Sequence, residues 1–234
     1  MKILALDSSG MVASAAIIED DVLIGEYSIN HKKTHSQTLL PMLDEIVKMT
    51  ETDLEDVDAI ALAKGPGSFT GLRIGSATAK GLGLALNKPI VAVPTMDAIA
   101  YNLYHAEGYI CPIIDARRNH VYTGIYVWNG DEFEVVKEQC AESIDEIIEE
   151  INLFENPVIF LGDGVAVHRE HILETCTVPV SFAPAHLNRQ RAGAVGSLGM
   201  EYYKRGKIET AAEHRPDYLK KSQAEREWEK KHAD

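Results

Sequence analysis

A run of glycines and other small residues between positions 64 and 86 constrains the fold of this chain more than any other feature. It begins as Lys64-Gly65-Pro66-Gly67-Ser68-Phe69-Thr70-Gly71-Leu72-Arg73, which joins a predicted strand at 57–63 to a predicted helix at 70–86. A glycine inside a helix costs about 1 kcal/mol relative to alanine. Another segment should therefore approach this helix closely: either the chain's own sheet or the helix of a partner subunit. The small residues recur at every fourth position, at Gly71, Gly75, Ala79 and Gly83.

The glycine-rich segment is also a candidate ligand site, because backbone N–H groups at a strand-to-helix junction favour anions. Its spacing matches neither G-x-x-x-x-G-K-[ST] nor G-x-G-x-x-G, since Thr70 stands where the second pattern needs its last glycine. A structural turn and a phosphate cradle therefore both remain open. Asp7 and Asp163 could bind magnesium and phosphate in a cleft, although turn-forming aspartate is the commoner explanation. The candidate cleft residues are Asp7, Ser8, Gly65, Gly67, Ser68, Asp115, Arg117 and Asp163.

The order of predicted elements indicates an α/β fold made of two related halves. Residues 1–106 give three strands followed by alternating helices and strands, and 107–234 begin again with three strands. Asn129-Gly130-Asp131 is a strong hairpin signal between two strands of the second half. A helix at 192–204 completes the predicted elements of that half. We find no residue-level repeat, so the relation between the halves is an inference from element order alone.

A second helix is predicted at 34–49, where Thr34-His35-Ser36-Gln37 fits a capping box. Its apolar arc is wider than one core-facing stripe requires. Packing on the chain's own sheet and docking against a partner subunit are again both open. If the two helices form an interface, its candidate residues are Leu39, Leu40, Leu43, Ile46, Val47, Gly71, Leu72, Gly75, Ala79 and Gly83.

Net charge narrows the classes of partner. With 23 Lys+Arg against 36 Asp+Glu, the formal net charge is −13, which argues against a chain that grips a nucleic acid by itself. The acidic residues concentrate at 41–60 and 130–155, as solvated faces or as surfaces that steer a basic partner. The early Asp7 argues against a signal peptide, and no apolar run is long enough to span a membrane, so we expect a cytoplasmic protein. The charged stretch 201–234 suits an amphipathic helix or a tail.

Catalytic and metal-binding patterns are sparse. No G-x-S-x-G surrounds Ser8, Ser68 or Ser76, so a hydrolase elbow is unsupported. His31 and His35 are four residues apart but straddle the predicted helix start, so we expect no metal site there. The segment Asp115-Ala116-Arg117-Arg118 lies at a predicted strand end. Its charged side chains could form ion pairs with one another or contact a ligand, and both alternatives stay open.

Several motifs together closely resemble the bacterial TsaB (YeaZ) family. They are Ile3-Leu4-Ala5-Leu6-Asp7-Ser8-Ser9, His35-Ser36-Gln37-x-Leu39-Leu40-Pro41, the stretch from Gly65 to Gly75, Lys88-Pro89-Ile90, and Asp115-Ala116-Arg117-Arg118. The resemblance implies an actin-like ATPase/sugar-kinase superfamily (ASKHA) fold, with two related subdomains of mixed sheets flanked by helices. It also implies a role in making threonylcarbamoyladenosine next to the anticodon of tRNAs that read codons beginning with A. His120 stands where an acidic residue is common in the family, a departure that counts against a ligand role for that strand.

In that family the protein is a non-catalytic dimerising subunit, which implies specific partners here. These are a TsaD-like transferase as heterodimer partner, a TsaE-like ATPase, and a second copy when the chain is alone, with tRNA contacted only through the complex. The helices at 34–49 and 70–86 are those through which the family's dimers form. No cofactor is implied, and nucleotide binding in the cleft stays open. An ATP-dependent phosphotransferase or hydrolase, or a peptidase-like enzyme, using Asp7 and the loop from Gly65 to Gly71 is the alternative.

One comparison with the transferase favours the non-catalytic role. TsaD carries a V-N-H-x-x-x-H metal motif after its own K-P-x-x-x-V. Here the matching stretch is Val93-Pro94-Thr95-Met96-Asp97-Ala98-Ile99, so Thr95 and Ile99 replace the two histidines. Neither side chain supplies the imidazole nitrogen that binds a metal.

Overall fold

The computed structural model describes residues 1–31, 34–220 and 228, and two five-stranded mixed sheets form its framework. The strands of the first sheet are β1 (Lys2–Asp7), β2 (Val12–Glu19), β3 (Val22–Asn30), β4 (Ala59–Gly65) and β5 (Ile90–Pro94). Their order is β3-β2-β1-β4-β5, so β1 lies at the centre, antiparallel to β2 and parallel to β4.

The second sheet repeats this arrangement. Its order is β10-β9-β6-β7-β8, with β6 antiparallel to β7 and parallel to β9. When the second sheet is listed from β8 to β10, its strands follow the same order along the chain as those of the first sheet listed from β3 to β5. This shared topology confirms the two related subdomains predicted from element order. The strands are β6 (Tyr109–Asp115), β7 (His120–Asn129), β8 (Glu132–Ser143), β9 (Val158–Leu161) and β10 (Val180–Phe182).

Six α-helices cover these sheets within the described residues. The helix predicted at 70–86 starts one residue earlier, and the one at 192–204 has the predicted bounds. The helix that follows Pro94 is short and ends at Tyr101. The helices are α1 (His35–Met49), α2 (Phe69–Leu86), α3 (Thr95–Tyr101), α4 (Ile144–Ile151), α5 (Val165–Thr175) and α6 (Ala192–Lys204).

Helix packing does not follow the division of the chain at 106–107. Although α6 comes after all ten strands, its Val195 and Leu198 pack in one core with Ile3, Ala61 and Val93 of the first sheet. Conversely, α3 precedes the second sheet and places Met96 and Ile99 in a core with Ile110 and Tyr126. Each subdomain therefore borrows a helix from the other half of the sequence.

One local prediction needs correction. The capping box at Thr34 is wrong: its hydroxyl caps no backbone N–H, and the Ser36 hydroxyl donates to it at 3.4 Å. A capping box does form at α4, where the Ser143 hydroxyl accepts from Glu146 N and the Glu146 carboxylate accepts from Ser143 N. The stretch 201–234 does not continue as one helix, since α6 ends at Lys204, and most of the tail beyond 220 lies outside the described residues.

Candidate functional site

A cleft of about 440 Å³ opens between the two sheets. Five of the candidate cleft residues line it: Gly67 and Ser68 from the loop before α2, and Asp115, Arg117 and Asp163 from the second subdomain. Asp7, Ser8 and Gly65 are buried in the chain and do not line it. The structure thus brings most of the predicted set to one place.

Asp7, at the end of β1, is enclosed by protein rather than open to the cleft. Ser9 donates to its Oδ1 from the backbone N at 2.8 Å and from the hydroxyl at 2.7 Å, while its Oδ2 is buried without a hydrogen-bond partner. Burial disfavours the carboxylate form, and although the Ser9 bonds act against this, the pKa of Asp7 rises to about 6.

This shift makes folding stability depend on pH. The folded chain holds the Asp7 proton up to about pH 6, whereas the ordinary pKa is 3.8, so stability present below pH 3.8 is lost as pH rises through about 6. The difference corresponds to about 3 kcal/mol. Asp7→Asn removes this titration. We therefore expect the difference in unfolding free energy, variant minus parent, to increase by about 2–3 kcal/mol from pH 4 to pH 7. Urea unfolding at both pH values measures this, and a pH-independent difference would contradict it.

Three N–H groups of the loop before α2 and of its first turn are used within the chain. Ser68 N donates to Ser9 O at 2.7 Å, Gly65 N donates to Thr95 Oγ1 at 3.1 Å, and Gly71 N donates to the Ser68 hydroxyl at 3.3 Å. A Cβ on Gly67 would lie 2.2 Å from Ser9 O, so the β1 turn presses directly on the loop. These donors hold the loop against β1 and α3 and are not free to bind a phosphate.

The opposite wall is a chain of turn contacts. Asp163 Oδ1 accepts from Asp115 N at 3.0 Å, and Asp115 Oδ1 accepts from Arg117 N at 2.9 Å. Burial raises the pKa of the Asp163 carboxyl. Arg117 has a positive φ of 63°, and the Nδ1 of His120 is 2.8 Å from Arg118 O. The aspartates on this wall thus stabilise the turn, and Arg117 is among the residues that line the cleft.

The C-terminal segment 217–220 forms a third wall of the cleft, and no local pattern in the sequence predicts it. Asp217 N donates to Lys64 O at 2.7 Å, and its carboxylate accepts from Gln139 Nε2 at 3.1 Å. The ring of Tyr218 lies 4.6 Å from that of Phe69. This segment therefore contacts both subdomains and covers the glycine-rich loop.

The two positions that replace the transferase histidines lie in the interior. Thr95 is fully buried, and its hydroxyl accepts from Gly65 N. Ile99 is 1% exposed and packs in the core of the second subdomain. Both side chains hold α3 in place. Within the described ranges, no group of three or more His, Cys, Asp or Glu residues is arranged to hold a metal ion.

Most of the predicted interface residues on α1 and α2 face the chain's own sheet. Only Leu40 and Val47 among the ten are accessible. A Cβ on Gly71 would lie 2.1 Å from Ser8 O, and one on Gly75 would lie 2.4 Å from Ser8 Oγ. The small residues of α2 therefore allow Ser8, at the end of β1, to pack against the helix. The other eight predicted interface residues are buried in the single chain, and an interface role for them stays a prediction. The residues buried in the chain are Leu39, Leu43, Ile46, Gly71, Leu72, Gly75, Ala79 and Gly83.

A different row of small and apolar residues lies on the outer face of this helix pair. Ala77, Gly81 and Ala85 are exposed at four-residue spacing, and a Cβ on Gly81 would meet nothing within 4 Å. Leu84, also on α2, is 70% exposed, and Leu40 on α1 is 53% exposed. We call Leu40, Ala77, Gly81, Leu84 and Ala85 the outer face.

Two sheets of one topology with a cleft between them define a protein with the fold of the actin-like ATPases and sugar kinases. The ROK hexokinase of Thermus thermophilus shares this fold, with a TM-score of 0.50 at 12% identity over 87% of this chain and all of that one. YeaZ from Pseudomonas aeruginosa is much more similar, with a TM-score of 0.80 at 27% identity over 93% of this chain and 99% of that one.

Sequence relatives define the family. This chain is 34% identical to the tRNA threonylcarbamoyladenosine biosynthesis protein TsaB of Bacillus subtilis, over 97% of this chain and 98% of that protein. Residues 23–228 also match the family model for TsaD, tRNA N6-adenosine threonylcarbamoyltransferase. The chain belongs to the TsaB (YeaZ) family.

Across the part of the chain that is described, no helix is both long and apolar enough to cross a bilayer.

Proposed function

We propose that this chain is a non-catalytic subunit in the biosynthesis of tRNA threonylcarbamoyladenosine, and that it acts in the cytoplasm by binding and activating a TsaD-like transferase. The observation that carries the proposal is the use of Thr95 and Ile99 as interior packing residues at the places where the transferase has metal-binding histidines. A chain without these ligands needs a partner for the chemistry.

The cleft supports a role without a nucleotide. The donors at Gly65, Ser68 and Gly71 are already used inside the chain, and the C-terminal segment covers the loop. A phosphate that used Ser68 N would have to displace Ser9 O from it. We therefore propose that the loop is a structural turn and that no cofactor is required.

The outer face of α1 and α2 supports the partner side of the proposal. Leu40, Gly81 and Leu84 place apolar and small surface where another helix pair can approach closely. Its partner would be a TsaD-like subunit, or a second copy when the chain is alone. A TsaE-like ATPase would join the pair. The net charge of −13 fits a subunit that meets tRNA only through its partners.

Reconstitution tests the proposal. A TsaD-like transferase and a TsaE-like ATPase, supplied with tRNA and the threonylcarbamoyl donor, should form the modified base only when this chain is added. The Asp7→Asn chain should support the reaction as well as the parent, because a non-catalytic subunit needs no carboxylate there. Modification that proceeds equally without the chain would overturn the proposal.

An enzyme that uses Asp7 and the loop from Gly65 to Gly71 is the rival function. It predicts nucleotide hydrolysis by the isolated chain that Asp7→Ala abolishes. The feature that favours this rival is the pKa of the Asp7 carboxyl, which burial raises to about 6. The same burial, away from the cleft lining, argues against contact with a substrate. If the isolated chain hydrolyses no ATP at saturating concentration, the enzyme hypothesis is rejected and the role as a non-catalytic subunit remains.

A further inference from the structure

Helix α3 lies between the two subdomains and contributes to the cores of both. Ala98 packs in one core with Val195 of α6 and with strands of the first sheet. Met96 and Ile99 pack instead in a core of the second subdomain. The helix also follows β5 directly, so its start is fixed to the first sheet. A rotation of one subdomain against the other would therefore disturb the packing of α3 on at least one side.

A buried carboxylate on α3 joins the two subdomains. Tyr126, on β7 of the second sheet, donates its hydroxyl to Asp97 Oδ1 at 2.8 Å. Tyr202, on the α6 helix that packs against the first sheet, donates its hydroxyl to Asp97 Oδ2 at 2.9 Å. Each carboxylate oxygen thus takes its hydrogen bond from a different subdomain. We call Tyr126, Asp97 and Tyr202 the Asp97 bridge.

Burial makes the Asp97 bridge sensitive to small changes in geometry. Asp97 is 4% exposed and Tyr126 is fully buried. Burial raises the pKa of the Asp97 carboxyl, although the two hydroxyl donors act against this. A carboxylate oxygen that lost its donor here would have no bulk water to replace it, which is unfavourable. Because such a hydrogen bond is lost beyond about 3.5 Å, only a narrow range of subdomain angles keeps both hydroxyls in place.

Asp217, in the C-terminal segment, forms a second link between the subdomains. Its backbone N donates to Lys64 O on β4, and its carboxylate accepts from Gln139 Nε2 on β8. Asp217 lines the cleft, whereas none of the three residues of the Asp97 bridge does, so the two links lie at separate places. Two separate links restrain the subdomains more than one, because bodies joined at a single point can still pivot about it.

We propose that the two subdomains are locked at one angle, with Asp97 as the positioning residue of this lock and Asp217 as its second link. The chain then does not open and close about its cleft, as a hinged enzyme would, and presents one fixed shape to the proteins that bind it. The lock is a property of the isolated chain, so its test needs no transferase and is independent of the subunit role.

The distance between two spin labels on the full chain tests the lock. One label is attached at Ser197→Cys on α6 and the other at Glu170→Cys on α5, which are exposed positions on helices packed in different subdomains. Burial raises the pKa of all three native thiols, so the label reacts faster with the two introduced ones. Dilution with unlabelled chain suppresses distances between copies.

We expect the double-labelled chain to give one narrow distance distribution that saturating Mg-ATP leaves unchanged, because neither link allows the cleft to close. A distribution with two separate distances, or a shift when Mg-ATP is added, would overturn the lock.

Matched tyrosine variants separate the Asp97 bridge from general packing. In a chain that carries Asp217→Ala, Tyr202→Phe removes one hydroxyl of the bridge and should broaden the distance distribution about twofold or more. Tyr203→Phe, at the next residue of α6, removes a hydroxyl outside the bridge and should leave the width as it is with Asp217→Ala alone. Circular dichroism shows that each variant is folded. Equal widths for the two tyrosine variants would overturn the role of Asp97.

A double-mutant cycle tests whether Asp97 and Tyr202 act together. In the same Asp217→Ala chain, Asp97→Ala should broaden the distribution at least as much as Tyr202→Phe. Adding Tyr202→Phe to Asp97→Ala should broaden it no further, since both changes break the same bridge. Independent, additive broadening would contradict a bridge through Asp97.

Discussion

Gly71→Ala is expected to lower the unfolding free energy of the chain by about 3 kcal/mol or more. The added methyl group would lie 2.1 Å from the backbone oxygen of Ser8, which belongs to a buried turn and cannot rotate away. Ser8 is also fixed from the other side, because its hydroxyl donates to Gly71 O at 2.9 Å. Helix α2 would have to move away from β1, and this hydrogen bond would break. Domains of this kind are stable by only about 5–15 kcal/mol, so the loss is large.

The matched control is Gly81→Ala in the same helix. A Cβ at position 81 would meet nothing within 4 Å, so only the helix propensity changes, and we expect the isolated chain to gain about 0.5–1 kcal/mol. The two substitutions are chemically identical and should differ by about 4 kcal/mol. Urea unfolding followed by circular dichroism measures both, with an unchanged slope showing that the midpoint shift reports stability. Equal effects would contradict the close approach of β1 to α2.

This pair of glycines shows where sequence analysis succeeds and where it stops. The four-residue spacing correctly predicts that a backbone approaches α2, because nothing else offsets the cost of several glycines in a helix. However, α2 has two such rows, one through Gly75 and one through Gly81. Periodicity places each row on a face but does not tell which face meets the sheet. Only the packing of Ser8 against Gly71 and Gly75 decides it.

The candidate cleft was predictable to a similar degree. Turn-forming residues such as Asp115 and Asp163 follow strands, and parallel strands end at one edge, so their clustering follows from local signals. The wall at 217–220 depends on contacts with Lys64 and Gln139, far away in the sequence, and no local pattern encodes those. For the same reason no local pattern predicts the buried Asp97, whose carboxylate accepts hydrogen bonds from the hydroxyls of Tyr126 and Tyr202.

A charge on the outer face is expected to abolish assembly while leaving the fold intact. Leu84 is 70% exposed, so Leu84→Glu should change the unfolding free energy of the isolated chain by less than about 0.5 kcal/mol. At a helix–helix contact the same carboxylate would be buried without a partner. We expect the affinity for a TsaD-like subunit, and for a second copy of the chain, to fall about 100-fold or more. Titration calorimetry and sedimentation measure the two affinities.

The control for this charge is Leu173→Glu, which places the same substitution on α5 of the second subdomain, where the leucine is 55% exposed. It should leave both affinities and tRNA modification unchanged, whereas Leu84→Glu should lose both together. Charged substitutions at Leu39, Gly75 or Ala79 could not make this distinction, because those residues are buried in the chain and their loss would unfold it. If Leu84→Glu assembles normally, the partner does not use the outer face. If assembly fails but modification persists, the subunit does not act by holding the transferase.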